Sequence, residues 1–166
     1  MATIAESILN ELREEVPATR RVLERLPEDK LTWKPHAKSR TLGELAMHVA
    51  AIPGMAERIA NSEQFSPGGA PSAAIGTVGD IRSAFEKNVR LAEETLEKMS
   101  DEAADSIWLF SFKGKEIFRR TRAAALRKLM LNHIYHHRGQ LTVYLRLLDV
   151  GVPAVLGPTA DENPFA

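Results

Sequence analysis

The chain has no cysteine in its 166 residues. That removes disulfides, thiolate metal ligands and a cysteine nucleophile together. Nothing here needs an oxidising compartment, so a cytoplasmic location is expected. Net charge is also missing, because 22 Lys plus Arg balance 22 Asp plus Glu. The balance excludes a strong basic field for nucleic acid, and it leaves little repulsion to discourage self-association. No apolar run approaches the ~20 residues that cross a bilayer. The amphipathic, acidic start MATIAESILNELREE lacks the apolar centre of a signal peptide.

What is present is an ordinary globular balance, 44% apolar and 27% charged, in a length that suits one domain with a real core. Helical periodicity marks four stretches. Ile4, Ile8, Leu12, Val16, Leu23 and Leu26 define the first, with Pro17 expected to kink or split it. A polar connector with Pro27 and Pro35 follows, from which Trp33 is expected to fold back onto the core. Thr41 and Glu44 form a capping box for a second helix carrying Leu45, Val49, Ile52, Met55 and Ile59. Residues 61–76 read as a Gly/Pro/Ser loop. Thr77 and Asp80 cap a third helix to about Met99, with Asp suiting the reciprocal bond less well than Glu.

Segment 101–119 alternates around Trp108, Phe110 and Phe112 before Lys113-Gly114-Lys115, as a short hairpin or an extended strap would. The longest helix is predicted from about Thr121 to Val150, stopped by Gly151 and Pro153, with 150–166 as a surface coil tail. The expected fold is all-α: an antiparallel four-helix bundle in a single domain over residues 1–166. The second and third connections are long enough for a non-sequential helix order.

The last helix contains LMLNHIYHHRGQL. On a wheel of ~100° per residue, His133 and His137 fall in mid-stripe with Leu126, Met130, Leu141, Tyr144 and Leu148. His136 falls at the stripe's edge and Arg138 points well away. A buried imidazole without a partner costs about 1–3 kcal/mol, so both rings must be satisfied. Hydrogen bonds to neighbouring helices would do it, and so would a metal ion. The i, i+4 spacing aims both rings at one spot. A third donor, His48, lies on the flank of the second helix's apolar side. If those helices are neighbours, three neutral imidazoles can converge on one ion and leave a position open for water or substrate. Nitrogen ligands suit zinc, nickel, copper or iron(II).

LTWKPHAKSRTLGELAMHVA, followed far downstream by NHIYHHRGQLTVYLRLLDVGVP and GPTADE, resembles the DinB/YfiT-like family of metal-dependent proteins over nearly the whole chain. This family is unrelated to the DNA polymerase that shares the name. The resemblance implies a helical bundle, often a homodimer, with a divalent metal (zinc, nickel, iron or manganese) on His48, His133 and His137. It also implies a small-molecule substrate and thiol-dependent S-transfer or isomerisation with a low-molecular-weight thiol, while metal-assisted hydrolysis fits the same ligands equally well. The alternative is a metal-binding, stress-associated dimer without catalysis. His36 matches a connector position that is no ligand and is read as structural.

Beside the metal set, Gln140 and His136 are candidates for contacting a ligand ring or the substrate, against plain inter-helix packing. Tyr144 reads as core, and Gly139 as a close approach to another backbone. Arg119, Arg120, Arg122, Arg127, Lys128 and Arg138 read as a solvated basic face able to attract an anionic thiol. Glu44 is accounted for by capping, and Asp161 and Glu162 are given no role.

Overall fold

Each of the four long helical rods begins behind a threonine. In the computed structural model, which describes residues 2–67 and 76–165, Thr3 opens α1 (Ile4–Glu24) and Thr41 opens α2 (Leu42–Ala51). Thr77 opens α4 (Val78–Glu97), and Thr121 opens α6 (Arg122–Leu126). Each hydroxyl accepts from the backbone N–H three residues on, satisfying a donor that the helix itself cannot. Three of the four are full capping boxes. The Thr77 box closes despite its shorter acid: Asp80 accepts from Thr77 N at 2.8 Å, and these bonds hold its carboxyl below the usual carboxylate range.

The rods pack around one core that includes Ile8, Leu12, Leu42, Ile59, Phe85, Leu126 and Met130. Rod α1 lies against α4 and α7 (Asn132–Leu147), and so does α2. The ring order is therefore α1, α4, α2, α7, a non-sequential order that the long connections permit. It sets the second rod beside the last. Of the expected loop 61–76, residues 68–75 lie outside the described residues.

Three departures from the expected helices have local causes. Pro17 sits inside α1 without splitting it, because the rest of the helix keeps its apolar face buried from Ile8 to Leu23. Pro53 interrupts the second rod instead: a 3-10 turn, Ile52–Gly54, joins α2 to α3 (Met55–Asn61). The last rod holds a π turn, Arg127–Leu131, in which Asn132 N–H reaches back to the Arg127 carbonyl. It ends at Leu147 on a residue in the left-handed region, Asp149 (φ 57°), with Val150 N–H bonded to the Leu145 carbonyl at 2.9 Å. That is a Schellman stop, so the helix ends before Gly151.

The chain is mostly helical but not all-α. A short helix, α5 (Asp101–Asp105), leads into the hairpin β2 (Ile107–Phe112) and β3 (Lys115–Thr121). Lys113 and Gly114, both at positive φ (50° and 76°), make the two-residue turn whose twist suits a hairpin. β1 (Gln64–Phe65) adds a parallel edge to β2. The alternation around Trp108 buries its ring fully and stacks Phe110 on Phe118 at 5.1 Å.

The tail after Leu147 has no regular structure, yet it is docked. Val152 and Ala154 are buried, Asp161 accepts from Val152 N and pairs with Arg146, and Glu162 accepts from Ala154 N and pairs with Arg21 and Arg25.

Candidate metal centre

The π turn decides where the histidines stand. Each of its residues advances the chain by roughly 80° instead of ~100°, so five of them leave the rest of the helix lagging by roughly 90°. Ile134, Leu141 and Leu145 then take the buried positions, together with Arg138. His133 and His137 move from the expected mid-stripe to its flank, half-buried, with Gln140 and Tyr144 on the same side. His48, in the last turn of α2, faces them from the neighbouring rod.

The three rings meet. Ring centroids of His48 lie 4.9 Å from His133 and 4.5 Å from His137, and those of His133 and His137 lie 4.6 Å apart. One nitrogen from each falls within 4.8 Å of the other two, a group that could hold a metal ion. His48 Nε2 and His133 Nε2 are 3.2 Å apart.

The outer nitrogens have their own partners. His137 Nδ1 lies 2.7 Å from Gln140 Oε1, so Nδ1 carries the proton and Nε2 keeps its lone pair. The Leu129 carbonyl, inside the π turn, favours the protonated form of the His133 ring. His137 is thus held with a bare Nε2 beside the His48–His133 contact, and one proton shared between those two rings leaves it unserved. This donor set fits a divalent ion, which needs neutral imidazoles whose far nitrogens are tied down.

The electrostatics keep the rings neutral. Burial, with the nearby Arg40 cation and the other two rings, pushes His48 down to about 3. Burial also lowers His133 and His137, opposed in part by the Leu129 and Gln140 bonds, which favour the protonated ring. At neutral pH all three are unprotonated bases.

The other candidates sort cleanly. Gln140 bonds a ligand-type ring within its own helix and not a neighbouring helix. His136 is exposed and not partly buried, its ring edge-on to His137 at 4.7 Å. His36 is exposed and accepts from Lys38 N, closing a connector turn. Tyr144 is half-buried, edge-on to Trp33 at 5.6 Å, and its hydroxyl donates to the Arg40 carbonyl. Among the described residues, nothing beyond its own helix backbone and chain neighbours comes within 4 Å of a Cβ built on Gly139, so no close approach of another element explains it.

The basic face is largely spent on structure. Arg138 is 3% exposed and paired with Glu15, against the expectation that it points to solvent. Arg122 donates to Ile59 O and Ser62 O, and Arg127 to Glu11. Arg120 lies over the Phe118 ring, and Arg119 pairs with Glu116. Arg40 was missed by the sequence reading, because one arginine in a polar connector looks like any surface charge.

Grooves of about 470 Å³ between α1 and α4 and about 510 Å³ beside β2 lie elsewhere on the surface. The first is lined in part by the Arg20–Glu86 pair and the second by Glu63, Ser106, Arg119 and Arg122, and neither includes a histidine, so the chemistry points to the histidines. Among the described residues, no helix is long and apolar enough to cross a membrane.

Comparison with known proteins bears on the fold and the family. No curated protein matches the chain. The crystal structure of a DinB-like protein from Bacillus cereus ATCC 10987 superposes with a TM-score of 0.71 at 26% identity, covering 90% of this chain and 96% of that one. A DinB-like protein from Bacillus subtilis matches in fold, with a TM-score of 0.65 at 18% identity, covering 90% and 97%. The model of the DinB family matches residues 1–162, and with that extent the chain belongs to the DinB family.

Proposed function

We propose that the protein is a divalent-metal-dependent enzyme in which His48, His133 and His137 hold the metal. One observation carries the reading: three unprotonated imidazoles converge from two helices, and Gln140 engages the outer nitrogen of His137. A divalent ion held there supplies a Lewis acid that lowers the pKa of a thiol or a water. The chain does the rest. Burial keeps the rings neutral, and Gln140 fixes the orientation of His137. The protein offers no nucleophile of its own among the converging groups, so the nucleophile is a small-molecule thiol or water. S-transfer to an electrophile and hydrolysis are the two reactions that fit.

The half-buried rings favour catalysis over simple metal storage. A storage site would be sealed by apolar side chains, whereas these rings are flanked by exposed His136 and Gln140. The proposed setting is an antiparallel four-helix scaffold, one domain over residues 1–166, acting as a cytoplasmic homodimer on a small molecule.

Elemental mass spectrometry of tag-free protein tests the site. About one metal per chain is expected, lost in His48→Ala and His137→Ala while the far-ultraviolet helical signal persists. A wild-type protein that stays empty after incubation with zinc, nickel, iron(II) and manganese sinks the proposal.

A further inference from the structure

The outward face of the last helix is exposed, and it is centred on a glycine. At ~100° per residue, Asn132, Tyr135, Val143 and Arg146 fall within about 40° of Gly139, and His136 and Leu147 lie on the shoulder toward the histidine flank. All of these residues are exposed. Tyr135, Val143 and Leu147 are 37%, 56% and 57% exposed, three large apolar side chains in water on one helix. The tyrosine is held in place from below, with the Arg138 guanidinium 5.7 Å from its ring centroid. Gly139 itself sits in mid-helix, where glycine is a poorer choice than alanine. Among the described residues, no other element would touch a Cβ at that position. The fold of one chain therefore does not require the glycine, whereas a second helix crossing closely over this face does.

The face suits a second copy of this chain. From Arg122 to Leu148 the last rod holds no acidic residue. Arg146, the one charged side chain near the centre of the face, is paired with Asp161. A two-fold axis at Gly139 with the helices antiparallel sets each residue against the one equally far beyond the glycine. Tyr135, four residues before, then meets the partner's Val143, a large ring against a small side chain. Arg146, seven residues after, meets the partner's Asn132, which is neutral and can accept a hydrogen bond. Parallel helices would set Arg146 against its own copy, and like charges facing across an interface are costly.

Size explains why the glycine is at the centre. The 16 residues of α7 make a ridge about 24 Å long and about 10 Å wide, short of the roughly 800 Å² per partner that a stable dimer buries. The flanking rods α1 and α2 must join the contact. They reach only if the two α7 axes approach to about 8 Å, the short end of helix packing, and a missing Cβ at the crossing permits that.

We infer that the chain forms a two-fold dimer through the outward face of α7, with the two helices antiparallel and crossing at Gly139. This rests on the homodimer in the proposed function and not on the metal. The interface extends to His136, whose ring lies 4.7 Å from His137, so the second copy borders each histidine site.

Sedimentation velocity of the full chain from about 1 to about 100 µM tests the inference. A dimer is expected for the wild type. Gly139→Leu should weaken it at least about 100-fold by holding the helices apart. The far-ultraviolet helical signal should persist, since leucine forms helix better than glycine and meets no other element of its own chain. Val143→Glu, which sets a charge against the partner's Tyr135, should weaken the dimer about tenfold or more and serves if the leucine variant does not fold. The absence of cysteine from the sequence allows a geometric readout as well. Gly139→Cys should close a disulfide between copies on mild oxidation, and Leu147→Cys, well away from the axis, should not. A wild type that stays monomeric overturns the homodimer and this inference together. A dimer that survives both substitutions, or one that cross-links through Leu147→Cys as parallel helices would, overturns this inference alone. The measurements use no metal, so an empty histidine site does not affect them.

Discussion

The last helix buries polar groups on two adjacent strips of its surface, and they are satisfied in different ways. On one strip, Arg138 meets Glu15 across α1: a carboxylate oxygen 2.6 Å away, the Glu15 carbonyl at 3.3 Å and the Thr19 hydroxyl at 3.2 Å. The ion pair is close but off the line of an ideal hydrogen bond, so charge attraction more than direction holds it. On the other strip, His137 has Gln140 for its outer nitrogen, and His133 and His137 face His48 with their inner ones. The buried cation has its counter-charge within the protein, although Glu15 Oε2 accepts no hydrogen bond. A proton between His48 and His133 serves only one contact among the three rings, which leaves the set able to hold an ion. Burial of a polar group is thus weak evidence of function, and incomplete satisfaction of it is stronger.

The comparison can be broken most sharply at Arg138. Arg138→Ala leaves Glu15 in a mostly buried site without its cation, and should cost about 3 kcal/mol in urea unfolding while metal content stays unchanged. The double change Arg138→Leu with Glu15→Leu should recover most of that loss, since apolar packing replaces a buried pair at little net cost. If Arg138→Ala instead empties the metal site, the two strips are not independent.

Gln140→Ala probes the other strip. It frees the His137 ring to turn, and metal affinity in a competition titration should fall about 10- to 100-fold with stability nearly unchanged. An unaltered affinity would show that packing alone orients the ring.

A smaller effect concerns acid. In the metal-free protein the three rings titrate below their ordinary 6.5, His48 near 3, so the unfolded chain takes up protons first. The stability this contributes is fully present above about pH 6.5 and is lost as pH falls below it. Melting temperature should therefore drop between pH 7 and 5, a window above the carboxylates, and drop less in His48→Ala. The opposite slope would mean the rings are stabilised in their charged form.

The smallest expected effect lies in the tail. Asp161→Asn weakens an exposed pair with Arg146 but keeps an acceptor for Val152 N–H, and should cost under about 1 kcal/mol. Asp161 and Glu162 pin the tail to the helices and serve no chemistry in this reading.

Much of the fold was legible because its signals are local. The Thr41 and Thr77 caps depend on residues three apart, and Lys113-Gly114 between alternating strands marks a hairpin turn. The histidine triad was legible through a combination of spacing and resemblance: two rings one turn apart, and a third on another helix. The burial of Arg138 and the displacement of the histidines from mid-stripe were not. Both follow from the π turn at Arg127–Leu131, whose one extra residue per turn leaves no mark in composition or periodicity. The wheel drawn through Leu126 and Met130 was right for those residues and rotated for everything after them. β1 escaped notice for a related reason, since two residues carry no period and owe their state to pairing with Leu109 and Phe110.

By itself the sequence determined where helices start, which faces are apolar, and that the metal-type donors are all imidazoles, because these follow from side-chain chemistry and short-range spacing. Tertiary structure alone decided that the second and last rods are neighbours and that the π turn aims His133 and His137 at His48. Those outcomes depend on how the whole core closes, a choice spread over contacts distant in the chain that no single stretch encodes.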